Sequence, residues 1–134
     1  VATAIDSGIA IRWMPADGSG PAELLYRGDA VLNEAILSPD GRWLVVRTAP
    51  GGARPRDILA VDLTGDRTLR PLAEGPFSEQ MPRLSPDGRW LAYVSDESGQ
   101  AEVYVQPYPS LDARVVVSTA GGREPVWARN GRAL

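Results

Sequence analysis

The sequence predicts an all-β chain of propeller blades, and three observations carry that prediction. The octapeptide LSPDGRWL occurs twice, at Leu37–Leu44 and again at Leu84–Leu91. The two turns are 47 residues apart, and a degenerate third copy, Ala128–Leu134, follows the second by 43. Between the copies lie apolar, β-branched runs of four to six residues separated by turn residues, the pattern of antiparallel strands. Repeat periods in the forties with Gly-rich turns belong to four-stranded propeller blades.

With the strands of a blade labelled a to d, each element follows in chain order. Residues 1–32 supply strands b, c and d of one blade, because IAIRWMPADGSGPAELLYRGD (Ile9–Asp29) aligns with the back halves of both later units. Residues 33–80 form a full blade: strand a runs up to Leu37, b is WLVVRT from Trp43, c is ILAVDL (Ile58–Leu63) and d is TLRPLA (Thr68–Ala73). Residues 81–124 repeat the pattern, with WLAYVS from Trp90, VYVQPY (Val103–Tyr108) and RVVVST (Arg114–Thr119). Residues 125–134 hold strand a of a further blade (Pro125–Ala128) and the first residues of its b.

The repeated phrase reads as a joint between strands a and b. Pro at the second turn position presets φ, Asp bonds its own backbone, and Gly takes the left-handed position closing a three-residue hairpin. Asn130-Gly131 keeps the two residues that matter most for this geometry. Leu37 and Leu44 are expected to flank the hairpin as core residues, with Trp127 in place of Leu in the third copy.

LSPDGRWLAYVSDESGQAEVYVQPYP resembles the WD-like (PD40) repeat of the TolB-like propeller superfamily. The match rests on Pro82 and Pro125, Ser85–Gly88, Ser95–Gly99 and Val103–Pro107, while WMPADGSG (Trp13–Gly20) is similar to the family's c–d hairpin. Ala35 departs from the pattern where Pro is usual, and Arg129 with Ala133 weaken the last copy. The resemblance implies a propeller, and an extracytoplasmic or periplasmic setting. Such propellers occur as free periplasmic proteins, as sensor-like regions of bacterial Ser/Thr kinases and as gating domains of prolyl-oligopeptidase-like peptidases. The resemblance also implies six or more blades, against about three here. The unpaired pieces at the two ends suggest that two chains exchange them, giving a two-fold homodimer with a six-bladed ring. The competing reading is a segment cut from a longer propeller, in keeping with a start at Val1 rather than Met.

Composition narrows the chemistry. The 14 basic residues are all Arg, set against 17 acidic residues for a net charge of -3, which leaves no electrostatic footprint for nucleic acid. Without Cys there is neither a disulfide nor a thiolate metal site, and without His the commonest general base is gone. No apolar run reaches the roughly 18 residues of a membrane helix. Ser38 and Ser85 are turn residues without a base, and neither Asp96-Glu97 nor Asp62 with Asp66 follows a calcium-loop spacing. No catalytic residue, metal or cofactor is therefore expected.

The d-to-a and b-to-c loops emerge on one propeller face. Together they gather Glu34, Arg54, Arg56, Glu79, Arg83, Asp96, Glu97, Arg123 and Glu124, with Asp29, Asn33 and Gln80 beside them. A ring of mixed charge near a central channel suits a peptide, a protein segment or a small polar ligand; the bland alternative is a solvated loop surface. Arg27-Gly28-Asp29 reads as an ordinary turn, and the four tryptophans read as strand packing. The expected function is a non-catalytic binding or assembly module. The alternatives are the propeller of a larger peptidase or a kinase sensor region.

Overall fold

The computed structural model describes residues 2–5, 8–49 and 55–134, so Arg54 lies outside the described residues. These contain eleven strands and no helix. β1 (Ala2–Ile5), β2 (Gly8–Trp13) and β3 (Glu23–Gly28) form a three-stranded sheet. β4 (Leu32–Leu37), β5 (Trp43–Thr48), β6 (Ile58–Asp62) and β7 (Leu69–Ala73) form a second sheet, in chain order. β8 (Gln80–Leu84), β9 (Trp90–Ser95), β10 (Glu102–Pro107) and β11 (Val115–Val116) form a third, also in chain order. Every pairing is antiparallel.

Packing explains why the middle strands are continuously apolar. Leu44, Val46 and Val61 of the second sheet meet Ile11 and Tyr26 of the first, while Val45, Ile58 and Ala60 meet Leu91, Tyr93, Tyr104 and Tyr108 of the third. Alternate side chains of β5 thus bury against opposite neighbours, so WLVV has no polar side. The second seam is aromatic. Tyr93 and Tyr104 stack at 5.9 Å, and Tyr108 meets Trp43 edge-on at 6.0 Å, both within the range of favourable ring pairs.

The two octapeptides fold alike. Ser38 N donates to Trp43 O (2.8 Å), Gly41 N to Ser38 O (2.9 Å) and Trp43 N to Ser38 Oγ (2.8 Å). In the second copy the corresponding bonds are Ser85 N to Trp90 O (2.9 Å), Gly88 N to Ser85 O (2.9 Å) and Trp90 N to Ser85 Oγ (3.0 Å). The serine carbonyl is taken by the turn, so its hydroxyl replaces it as the ladder acceptor. That hydroxyl donates in turn to Asp40 or Asp87 Oδ1, at 2.5 Å in each copy. Gly41, Gly88 and Gly131 all take φ near 70° (71°, 70° and 67°), the left-handed region where Gly carries no Cβ penalty.

Three expectations need correcting. The hairpin holds four residues between the paired Ser38 and Trp43, because the serine hydroxyl closes the ladder one step further out. Leu37 is 38% exposed rather than core, since β4 is the inner edge strand of its sheet and no further strand covers it. The last d strand pairs only at Val115–Val116, extended by Val117 N donating to Val103 O at 2.9 Å. Residues 125–128 have no ladder partner and take no strand. They do lead into the third turn, where Ala128 N donates to Ala133 O and Gly131 N to Ala128 O.

Candidate functional site: the inner-edge cavity

The loops predicted to share a face do so. Glu79 N donates to Arg56 O (2.7 Å), Gly122 N to Ala101 O (2.8 Å) and Ala49 N to Val31 O (2.8 Å). Each bond ties a d-to-a segment to the b strand or b-to-c loop beside it. On this face, where β4 and β8 begin, lies a cavity of about 390 Å³ lined by Glu34, Arg47, Gln80, Met81, Arg83, Glu124, Pro125 and Val126.

The cavity is assembled by the repeat. Glu34, Met81 and Glu124 occupy equivalent positions, 47 and 43 residues apart. Strand pairing slips by a bulge at Leu32/Glu34 and again at Gln80/Arg83. Met81 and Glu124 carry φ of 53° and 55°, an uncommon conformation for residues with a Cβ. A bulge redirects the side chain it carries, and here all three reach the same space.

Charge within the cavity is partly paired. Glu34 Oε1 accepts from Arg83 Nη1 at 2.6 Å, and Glu34 Oε2 from Arg47 Nε at 3.3 Å. Arg83 Nη1 also donates to Pro82 O at 2.7 Å. Glu124, on the opposite wall, has no ion-pair partner among the described residues. One wall therefore presents a half-exposed guanidinium and the other a free carboxylate. That arrangement can grip a ligand carrying both an anionic and a cationic group.

Of the loop residues expected at the site, Glu34, Arg83 and Glu124 meet here, as does Gln80. Arg47 and Met81 were missed: Arg47 sits inside a strand that reads as core, and Met81 reads as part of an apolar one. Arg56, Glu79, Asp96 and Glu97 form a separate network at the seam of the second and third sheets. Asp96 Oδ1 accepts from Ser78 N (2.8 Å), and Arg56 Nη1 donates to Ser78 Oγ (3.3 Å). Glu97 pairs with Arg114 at 2.5 Å, and that guanidinium lies 5.6 Å from the Tyr104 ring centre. Arg123 is exposed on a shallow hollow with Gln100 and Gly121, apart from both groups.

Glu79 is the unusual member of the seam network. It is 3% exposed, its Oε1 accepts from Ser95 Oγ at 3.1 Å, and its Oε2 is buried without a partner. Burial pushes its carboxyl up to about 7, opposed by the Ser95 hydrogen bond and assisted by the nearby Glu97 charge. Among the described residues no group of three or more Asp and Glu side chains could hold a metal ion. The hydroxyls of Ser38 and Ser85 are committed to their turns on both their donor and acceptor sides.

Blades in chain order, apolar seams between them and a cavity at their inner edge define a β-propeller segment. Its fold is TolB-like. A TolB-assigned protein from Agrobacterium tumefaciens superposes with a TM-score of 0.64 at 20% identity, over 86% of this chain and 43% of that one. TolB from Acinetobacter baumannii superposes at 0.66 and 16% identity, over 94% of this chain and 33% of that one. A puromycin hydrolase superposes at 0.63 and 22% identity, over 84% of this chain and 18% of that one. The chain thus spans less than half the length of each. No protein-family model matches it, and no curated protein does.

Proposed function

We propose that the chain is a non-catalytic propeller module whose inner-edge cavity binds a peptide segment or small polar ligand carrying both charges. The convergence of Glu34, Met81 and Glu124 from three successive repeats, with Arg83 and Arg47 held by Glu34, is the observation that carries this reading. In it, Glu124 takes a cationic group and the outer edge of Arg83 takes a carboxylate. The blades divide as 1–32, 33–80, 81–124 and 125–134, and two copies complete each other's part-blades in a homodimer. The likeness to a puromycin hydrolase favours one second reading, in which the module is the propeller of a larger enzyme and the cavity passes substrate to a catalytic domain.

The test is amide chemical-shift mapping of the isotope-labelled chain against a pool of short peptides with free termini. Shifts clustered at Arg47, Met81, Arg83 and Glu124, weakened in Glu124→Gln, support the reading. Shifts that avoid this cavity, or that survive both Glu124→Gln and Arg83→Gln, overturn it.

A further inference from the structure

The two interior seams show how one blade docks on the next, and the same geometry is left unused at both ends. At the second seam, Tyr108-Pro109 at the end of β10 covers Trp43 at the start of β5. Trp90 is the counterpart of Trp43 in the second octapeptide, yet it is 40% exposed. It lines an open socket of about 670 Å³ with Val105, Val117, Trp127 and Leu134. At the other end, register places Met14-Pro15 where the third sheet has Tyr108-Pro109. Trp13 pairs with Glu23 at the end of β2 as Trp43 pairs with Asp62 and Trp90 with Pro107. Met14 is 45% exposed and covers nothing.

The strand ladder shows the same mismatch independently. β1 is the edge of its sheet, on the side where β4 and β8 stand in the others. Residues 125–128 occupy the place of a β4 or β8 in the repeat and have no ladder partner. An open strand edge and an extended segment without a sheet are complementary defects.

We infer that the outer face of the third sheet is a docking site for the first sheet of a second copy of this chain. Met14 of the second copy enters the Trp90–Trp127 socket while residues 125–128 pair with its β1. This inference rests on the assembly part of the proposed function and assigns its contact. A thioether suits the place, because methionine fills irregular aromatic-lined gaps and gains from sulfur–ring contact. The contact is head-to-tail. A two-fold axis would use it twice and leave neither end open.

The experiment is absolute mass by light scattering behind a sizing column, across a wide concentration range, on the chain and on Met14→Asp and Trp90→Asp. Both residues are well exposed, so the variants should keep the cooperative melt of the chain, read by circular dichroism. The inference expects a plateau at twice the chain mass and a dissociation constant raised tenfold or more by either substitution. It also expects mixing of the two variants to restore mixed dimers, which retain one intact contact. A dimer indifferent to both substitutions would overturn this docking while leaving assembly itself standing. A monomer at every concentration would overturn both and assign the socket to a different partner.

Discussion

The same eight residues appear twice in this chain and meet two different fates. At Leu37–Leu44 the turn is covered: Tyr108 packs on Trp43, and Arg42 reaches across to Asp62 at 2.8 Å while lying 5.1 Å from the Trp43 ring centre. At Leu84–Leu91 the identical turn, with hydrogen bonds matching to within 0.2 Å, leaves Trp90 open. Pro107 stands opposite Trp90 where Asp62 stands opposite Trp43, so Arg89 finds no carboxylate there. Local conformation is thus set by the octapeptide, and burial by whichever blade follows.

The largest way to break this contrast is to uncover the first copy. Tyr108→Ala removes a buried ring whose hydroxyl has no partner, so the cost is packing alone, about 3–5 kcal/mol. Thermal melts should record it, and Trp43 emission should shift to the red, towards that of Trp90. A blue, unshifted emission would mean Tyr108 is not the cover.

Next in size is the carboxyl beneath the loops of that seam. Because burial raises Glu79 from its ordinary range near 4.5 to about 7, the folded chain holds a proton that the unfolded chain has released between those pH values. Stability therefore falls as pH rises through that window and is flat above it, by up to about 3 kcal/mol. The groups facing Glu79 are Ser95, Glu97, Asp96 and Arg114. Glu79→Gln should flatten the slope and stabilise the chain at pH 8; denaturant melts at several pH values measure it. An unchanged slope would place the titration elsewhere.

The serines test the part the copies share. Ser38→Ala and Ser85→Ala each strip an acceptor from a tryptophan N–H and a donor from an aspartate, costing about 1–3 kcal/mol. The two losses should agree, because the bonds do. A large difference in denaturant midpoints would mean the surroundings reach into the turn after all.

Arg42 gives the smallest effect, being a surface pair. Its hydrogen bond holds the Asp62 carboxyl well below the usual carboxylate range, with Thr64 assisting. Arg42→Ala should therefore lose stability only above the ordinary aspartate pKa, and by less than either serine. Arg89→Ala should lose none, and equal losses in paired melts would erase the electrostatic half of the contrast.

These contrasts also show what the sequence could tell. Ser-Pro-Asp-Gly specifies its turn through bonds within a few residues, and β-branched runs specify strands b and c, so both were legible. Leu37 misled because its alternation looks like core, and only sheet order reveals an inner edge with nothing beside it. Glu34, Arg83 and Glu124 could be assigned to a loop face from spacing. Arg47 could not, because its reach into the cavity depends on the bulge at Leu32/Glu34. Glu79 read as a solvated loop carboxylate, whereas its burial comes from Ser95 and the Glu97 loop of the next hairpin, contacts that cross sheets.

The bulged entry to each inner strand has a consequence for how such a site can change. Every repeat delivers one side chain to the cavity from a position that packs in no seam: a carboxylate at 34, a thioether at 81 and a carboxylate at 124. The rim is therefore spelled one letter per blade, in a register separate from the letters that hold the blades together. A lineage could respell it, exchanging acid for base or thioether for amide, without renegotiating a core. Duplicating a blade would lengthen the word.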